Sequence, residues 1–121
     1  MSLPQSITLS KSTTDSFRAI KSRTGINNNA LARIALALAI ESDDNVLDMP
    51  RPDADGQVLS RELMFGDNVA IYSVIIDQYI EGLSGDIEKA TVIAALLESG
   101  AHRMKHIRSL EQICALNNEP S

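Results

Sequence analysis

The stretch from Ala30 to Ile40 reads Ala-Leu-Ala-Arg-Ile-Ala-Leu-Ala-Leu-Ala-Ile and is apolar except for Arg33. Alanine and leucine are strong helix formers and isoleucine a tolerable one. Asn27, Asn28 and Asn29 just before them offer a side-chain oxygen to cap the first turn. A surface helix keeps a polar back; this one has almost none and must be enclosed on most sides. It falls well short of the ~20 apolar residues that span a bilayer. The rest of the chain, a second subunit, or both must therefore wrap it, and the sequence favours a second subunit. Arg33, a charge in an enclosed run, is expected to be paired, with an acidic residue across a subunit boundary as the expected partner.

The 121 residues fit one domain with a modest core. Aromatic residues make up only 3 % and tryptophan is absent, so the core must be built from Ile, Leu, Val and Ala. Alanine-rich faces let helices approach closely, which points to a helical bundle or oligomer. The single cysteine, Cys114, excludes an intramolecular disulfide framework and fits a reducing compartment. Met1 to Ile7 lacks the basic and apolar regions of a signal peptide, and a cytoplasmic location is expected.

The net charge of −5 alone argues against a nucleic-acid partner. Its distribution argues the other way. Residues 1–40 carry Lys11, Arg18, Lys21, Arg23 and Arg33 against Asp15 alone, a balance of +4. Residues 41–100 carry thirteen acids against Arg51, Arg61 and Lys89, a balance of −10. From Ala101 onward Arg103, Lys105 and Arg108 face Glu111 and Glu119, a balance of +1. A basic N-terminal unit, an acidic middle and a basic C-terminal helix are expected.

Ser6 to Ser10 alternates, with Ile7 and Leu9 on one side, and predicts a short half-buried strand. Ser12 with Asp15 resembles a capping box, which predicts a helix starting near Thr13 and stopped by Gly25. Thr14, Arg18 and Lys21 share a face of that helix by spacing. The acids, prolines and Gly56 of Glu41 to Ser60 predict a loop. Val69, Tyr72, Ile76, Tyr79 and Ile80 recur at helical spacing between Gly66 and Gly82. Asp86 is expected to cap a further helix ending at Gly100, with Ile87, Ala90, Ala94 and Leu97 inside. A last segment carries Ile107, Leu110 and Cys114 on one face and Lys105 and Arg108 on another. The chain thus reads as one mainly α domain over 1–121. Its parts are a basic strand-helix-helix unit at 6–41, an acidic loop at 41–60 and a helical remainder at 67–116.

Five patterns bear on chemistry. The strand-helix-turn-helix order of 6–41 resembles a ribbon-helix-helix unit, in which two subunits each give one strand to a ribbon in the DNA major groove. The cations Lys11, Arg18, Lys21 and Arg23, with Arg103, Lys105 and Arg108, would give salt-dependent affinity for DNA phosphates if they shared a face. Asp53-Ala54-Asp55-Gly56 with Glu62 partly matches a calcium loop. Its first ligand position falls on Arg51, however, which leaves a solvated Asp-Gly turn as the better reading. His102 and His106 have the spacing of a zinc pair, but Arg103 and Lys105 beside them repel a cation and no third ligand is evident. Cys114 belongs to an apolar face, where a thiol is ordinarily inert, and neither a nucleophile elbow nor a phosphate loop is present. No cofactor, metal or catalytic residue is therefore expected, and an enzyme is the weaker class.

Three pieces together resemble the DndE family of bacterial DNA phosphorothioation systems. They are Thr24-Gly25-Ile26-Asn27-Asn28-Asn29-Ala30-Leu31-Ala32-Arg33-Ile34-Ala35, then Asp55-Gly56 through Leu63-Met64-Phe65-Gly66-Asp67, and finally Ala101-His102. The resemblance covers nearly the whole chain. It implies a non-catalytic, oligomeric DNA-binding member of machinery that replaces a phosphate oxygen of DNA with sulfur, with a preference for nicked duplex. The sulfur chemistry would belong to partner proteins, a cysteine desulfurase and an iron–sulfur pyrophosphatase-like protein.

The resulting expectation is a homo-oligomer, dimer or tetramer, that grips the DNA backbone through the seven cations named above and does not enter membranes. The acidic loop should face away from DNA or contact a partner protein. Two alternatives stand beside it. One is a ribbon-helix-helix regulator reading base edges through Thr8 and Ser10; the other is an assembly scaffold without DNA contact. A DNA nickase would need clustered carboxylates and a divalent metal.

Overall fold

The computed structural model describes residues 3–42, 46–48, 50–83 and 88–104. Strand β1 (Ser6–Thr8) leads into helices α1 (Lys11–Thr24) and α2 (Asn28–Glu41). A 3-10 turn (Val46–Asp48) and strand β2 (Val58–Ser60) follow, then the short helix α3 (Arg61–Phe65). After a 3-10 turn (Gly66–Asn68) come helices α4 (Val69–Glu81) and α5 (Lys89–Met104). The chain is mainly helical with a short N-terminal strand, as the sequence predicts, and that strand belongs to a two-stranded antiparallel sheet. Asp86 and Ile87, and everything from Lys105 to the C-terminus, including His106, Arg108 and Cys114, lie outside the described residues.

α2 and α5 form the central pair. On α2 the residues Leu31, Ala32, Ala35, Leu36 and Ala39 are buried, a stripe broad enough to meet several neighbours. On α5 every residue from Val92 to Leu97 is buried, followed by Gly100, Ala101 and Met104. Gly100 marks the closest approach: a Cβ there would lie 1.9 Å from the Ala35 carbonyl oxygen. The sequence predicts a helix stop at this glycine. Instead α5 runs through it, because the missing side chain is what lets two backbones touch.

α1 lies against this pair with Thr13, Phe17 and Ile20 inward, at the i, i+4, i+7 spacing of an amphipathic helix. It begins two residues earlier than the Ser12 capping box predicts, because Ser10 is the cap and its Oγ accepts from Thr13 N at 3.0 Å. Gly25 ends it in the left-handed conformation, φ 77°, as expected. Asn27 caps α2 through Ala30 N at 2.9 Å.

β1 pairs with β2 of the same chain, Ile7 opposite Leu59, with both side chains buried. The sequence hides β2 inside the loop predicted for 41–60. This pairing occupies one edge of β1 within the chain. Ser10, a supposed base reader in the ribbon-helix-helix arrangement, has no exposed surface, and its Oγ donates to Glu98 Oε1 at 2.7 Å. It cannot reach a base edge.

Arg33 is hydrogen-bonded within the chain. Its Nη1 donates to the Met64 carbonyl at 2.7 Å, which pins α3 to α2 within the chain. α4 closes the structure less completely. Of its residues only Ile76 is buried, helped by a Phe65–Tyr72 ring contact with centroids 4.7 Å apart and an ion pair between Lys89 and Asp77.

Candidate nucleic-acid interface

With Phe17 and Ile20 fixed inward, the phase of α1 decides where its cations go. Lys11, Arg18 and Lys21 lie on one flank and are exposed. Thr14, predicted to share their face, is buried and donates to the Ser10 carbonyl at 3.0 Å. Arg23 is exposed but turned away, about 140° from Arg18 at 3.6 residues per turn. It lines a separate shallow groove of about 260 Å³ with Asp15, Ser16, Ala19 and Ile20. Arg103 is exposed in the last turn of α5 and lines neither α1 groove. Of the seven predicted contacts, three share a flank, Arg23 and Arg103 stand apart, and Lys105 and Arg108 lie outside the described residues.

The flank borders an open groove of about 460 Å³ lined by Lys11, Thr14, Asp15, Arg18, Asp55, Gly56 and Gln57. Its far wall is the segment that the sequence expects to face away from DNA. That segment is fastened to the start of α1. Asp53 Oδ1 accepts from Lys11 N at 3.0 Å, and Gly56 N donates to the Leu9 carbonyl at 2.9 Å. Gln57 N donates to Thr14 Oγ1 at 2.9 Å, and Asn28 Nδ2 donates to Gln57 Oε1 at 2.6 Å. Gly56 is required here, since a Cβ would sit 2.1 Å from Thr14 Oγ1 and 2.4 Å from the Ser10 carbonyl oxygen. The sequence shows Asp-x-Asp-Gly as a turn; that the turn docks on α1, forty residues away, has no local signature.

Charge in the groove is therefore mixed. Arg18 sits 3.6 Å from Asp15, with both side chains more than half exposed. Such a pair is worth about 0–1 kcal/mol in water, so a DNA phosphate can displace the carboxylate at little cost. The amide of Lys11, and then that of Asp55, hold the Asp53 carboxyl below its ordinary value. Asp53 thus remains an anion at the N-terminus of α1, where the helix dipole also favours negative charge.

Among the described residues no three His, Cys, Asp or Glu side chains are grouped to hold a metal. Asp53 and Glu62, acids of the partial calcium match, point to different tasks: Asp53 accepts from the Lys11 amide at the start of α1, while Glu62 meets Arg61 at 3.3 Å. No described helix is long and apolar enough to cross a membrane.

Comparison with known proteins agrees with the architecture. The family model for DndE, DNA sulphur modification protein, matches residues 6–112. A crystal structure of DndE from Escherichia coli B7A involved in DNA phosphorothioation modification superimposes with a TM-score of 0.70 at 26% identity. The match covers 82% of this chain and 96% of that one. A crystal structure of a DndE mutant involved in DNA phosphorothioation superimposes with a TM-score of 0.66 at 24% identity, covering 85% and 98%. No curated protein matches.

Proposed function

The chain belongs to the DndE family of DNA sulphur modification proteins, and from that membership we propose that it is a non-catalytic, DNA-binding accessory of DNA phosphorothioation. In this reading it binds duplex DNA through the phosphate backbone and acts as an oligomer. The observation that carries the reading is the α1 flank. Lys11, Arg18 and Lys21 are exposed along one side of a helix whose other side is locked into the core. From Lys11 to Lys21 the helix rises about 15 Å, the rise of four to five base pairs, so all three can meet successive phosphates. Lys21 extends beyond the lining of the mixed groove. Phosphate contacts of this kind position a protein without reading sequence, which suits an accessory that brings other modification proteins to DNA.

Oligomerisation would repeat the flank and multiply a weak monomeric affinity. It is supported by the large apolar side chains that the single chain leaves exposed, among them Leu63 at 62% and Val58 at 58%. Nicked duplex, which bends freely at the break, offers a second way to align phosphates with α1. Mobility shifts on intact and nicked duplexes of one sequence, alongside a scrambled sequence, test the proposal. It expects binding to all three, with nicked DNA preferred. Binding to one sequence alone would favour a sequence reader, and no binding at moderate salt would favour a scaffold.

A further inference from the structure

α4 is rich in branched apolar residues yet buries only Ile76, while Ile71 stays 60% and Val74 58% exposed. Ile75, on the same side, keeps 36%. Across from Ile71, Tyr72 and Ile75, α2 contributes Leu36, Ala37 and Ile40, and the two helices bound an open, mainly apolar groove of about 460 Å³. A contiguous apolar face of this kind on a water-soluble surface marks an interaction site. Its borders are acidic. Glu41 lines the groove at the end of α2. Asp67 is exposed next to Asn68, which also lines the groove. α2 and α4 carry a single cation between them, Arg33, and it is tied to the Met64 carbonyl.

We infer that this groove docks one amphipathic helix of a partner protein, whose apolar stripe is flanked by lysine or arginine. A trough between two helices accepts a third helix through anchors at i, i+3, i+4 and i+7, and acids at the trough's borders select basic flanks. A second copy of this chain fits less well. Two-fold pairing would bring the acid-bordered face against itself. The basic helix α1 offers no large exposed apolar side chain as an anchor, because all those described fall between Val58 and Ile75. The inference does not depend on DNA binding.

The test uses the full-length protein and two fluorescent helical peptides with the same leucine stripe, one flanked by lysines and the other by glutamates. Fluorescence anisotropy should show the lysine peptide binding at least about tenfold more tightly than the glutamate peptide. Ile71→Asp should weaken the lysine peptide by about tenfold or more, as loss of a central anchor does. Glu41→Gln with Asp67→Asn should narrow the gap between the peptides. Ile71 is exposed, so its substitution leaves the fold intact, which circular dichroism checks, and DNA affinity should not change. Equal binding of the two peptides, or binding of neither, overturns the inference. So does light scattering in which Ile71→Asp converts an oligomer to a monomer, since a second copy would then occupy the groove.

Discussion

Gly100→Ala is the substitution on which the central helix pair has most to say. By helix propensity alone alanine should stabilise a helix interior by about 1 kcal/mol over glycine. At Gly100 the added Cβ would lie 1.9 Å from the Ala35 oxygen, 2.4 Å from its carbonyl carbon and 2.6 Å from its Cα. These are main-chain atoms, so no rotamer change relieves the clash. α2 and α5 must open by about 1.5 Å to restore ordinary contact, and a gap of that size forfeits much of the dispersion along the seam. Overpacking of a dense core costs about 1–3 kcal/mol, and the position of Gly100 at the closest point puts it at or above the upper end. Allowing for the propensity gain leaves a net loss of about 2–3 kcal/mol. At about 4 °C per kcal/mol for a chain of this length, the melting temperature should fall by about 8–12 °C. Urea titration should report the same loss as a lower midpoint with an unchanged slope. Because the obstruction is backbone, Ala35→Gly should not rescue it. A variant as stable as the parent, or more stable, would refute the close contact and with it the arrangement of α2 on α5.

Three further outcomes follow from particular contacts. Arg33→Leu removes a charged donor from the Met64 carbonyl and should cost about 1.5–3 kcal/mol in urea titration, while leaving DNA affinity unchanged. Phe17→Ala, which empties a fully buried site under the cationic flank, should cost about 3–5 kcal/mol in the same assay. The Lys89 ammonium, through its hydrogen bond, holds the Asp77 carboxyl below its ordinary value of 3.8. A depressed carboxyl stabilises the fold above its unfolded value and loses that contribution as pH falls through the folded value. Melting temperature should therefore hold at neutral pH and drop once pH falls below about 4, with a shallower acid limb in Asp77→Asn.

Much of this molecule is written locally. Phe17 and Ile20 set the phase of α1, Gly25 ends it, and Asn27 starts α2, all through interactions within a turn or two. The run Ala30 to Ile40 announces burial, and five of its eleven residues are buried within the chain, while Ala37 remains exposed. What escapes the sequence is nonlocal. Val58-Leu59-Ser60 is three residues long and becomes a strand only because β1 lies beside it. Gly100 can be a stop or a contact, and Ala35, which decides between them, lies on another helix. The cations suffer the same limit. Charge counting groups Arg23 with Lys21, whereas helical phase parts them. The acids Asp53 and Asp55, predicted to stand clear, are drawn to the start of α1 by the Gly56 turn.

The salt dependence of DNA affinity tests the role of that flank most directly. Each phosphate contact contributes about 0.9 to the slope of log affinity against log salt. Arg18→Ala combined with Lys21→Ala should weaken binding to every duplex alike and reduce the slope by about 1.8. Arg23→Ala, on the opposite side of the same helix, should change it less. If the double variant binds with the affinity and slope of the parent chain, DNA does not lie along this flank of α1.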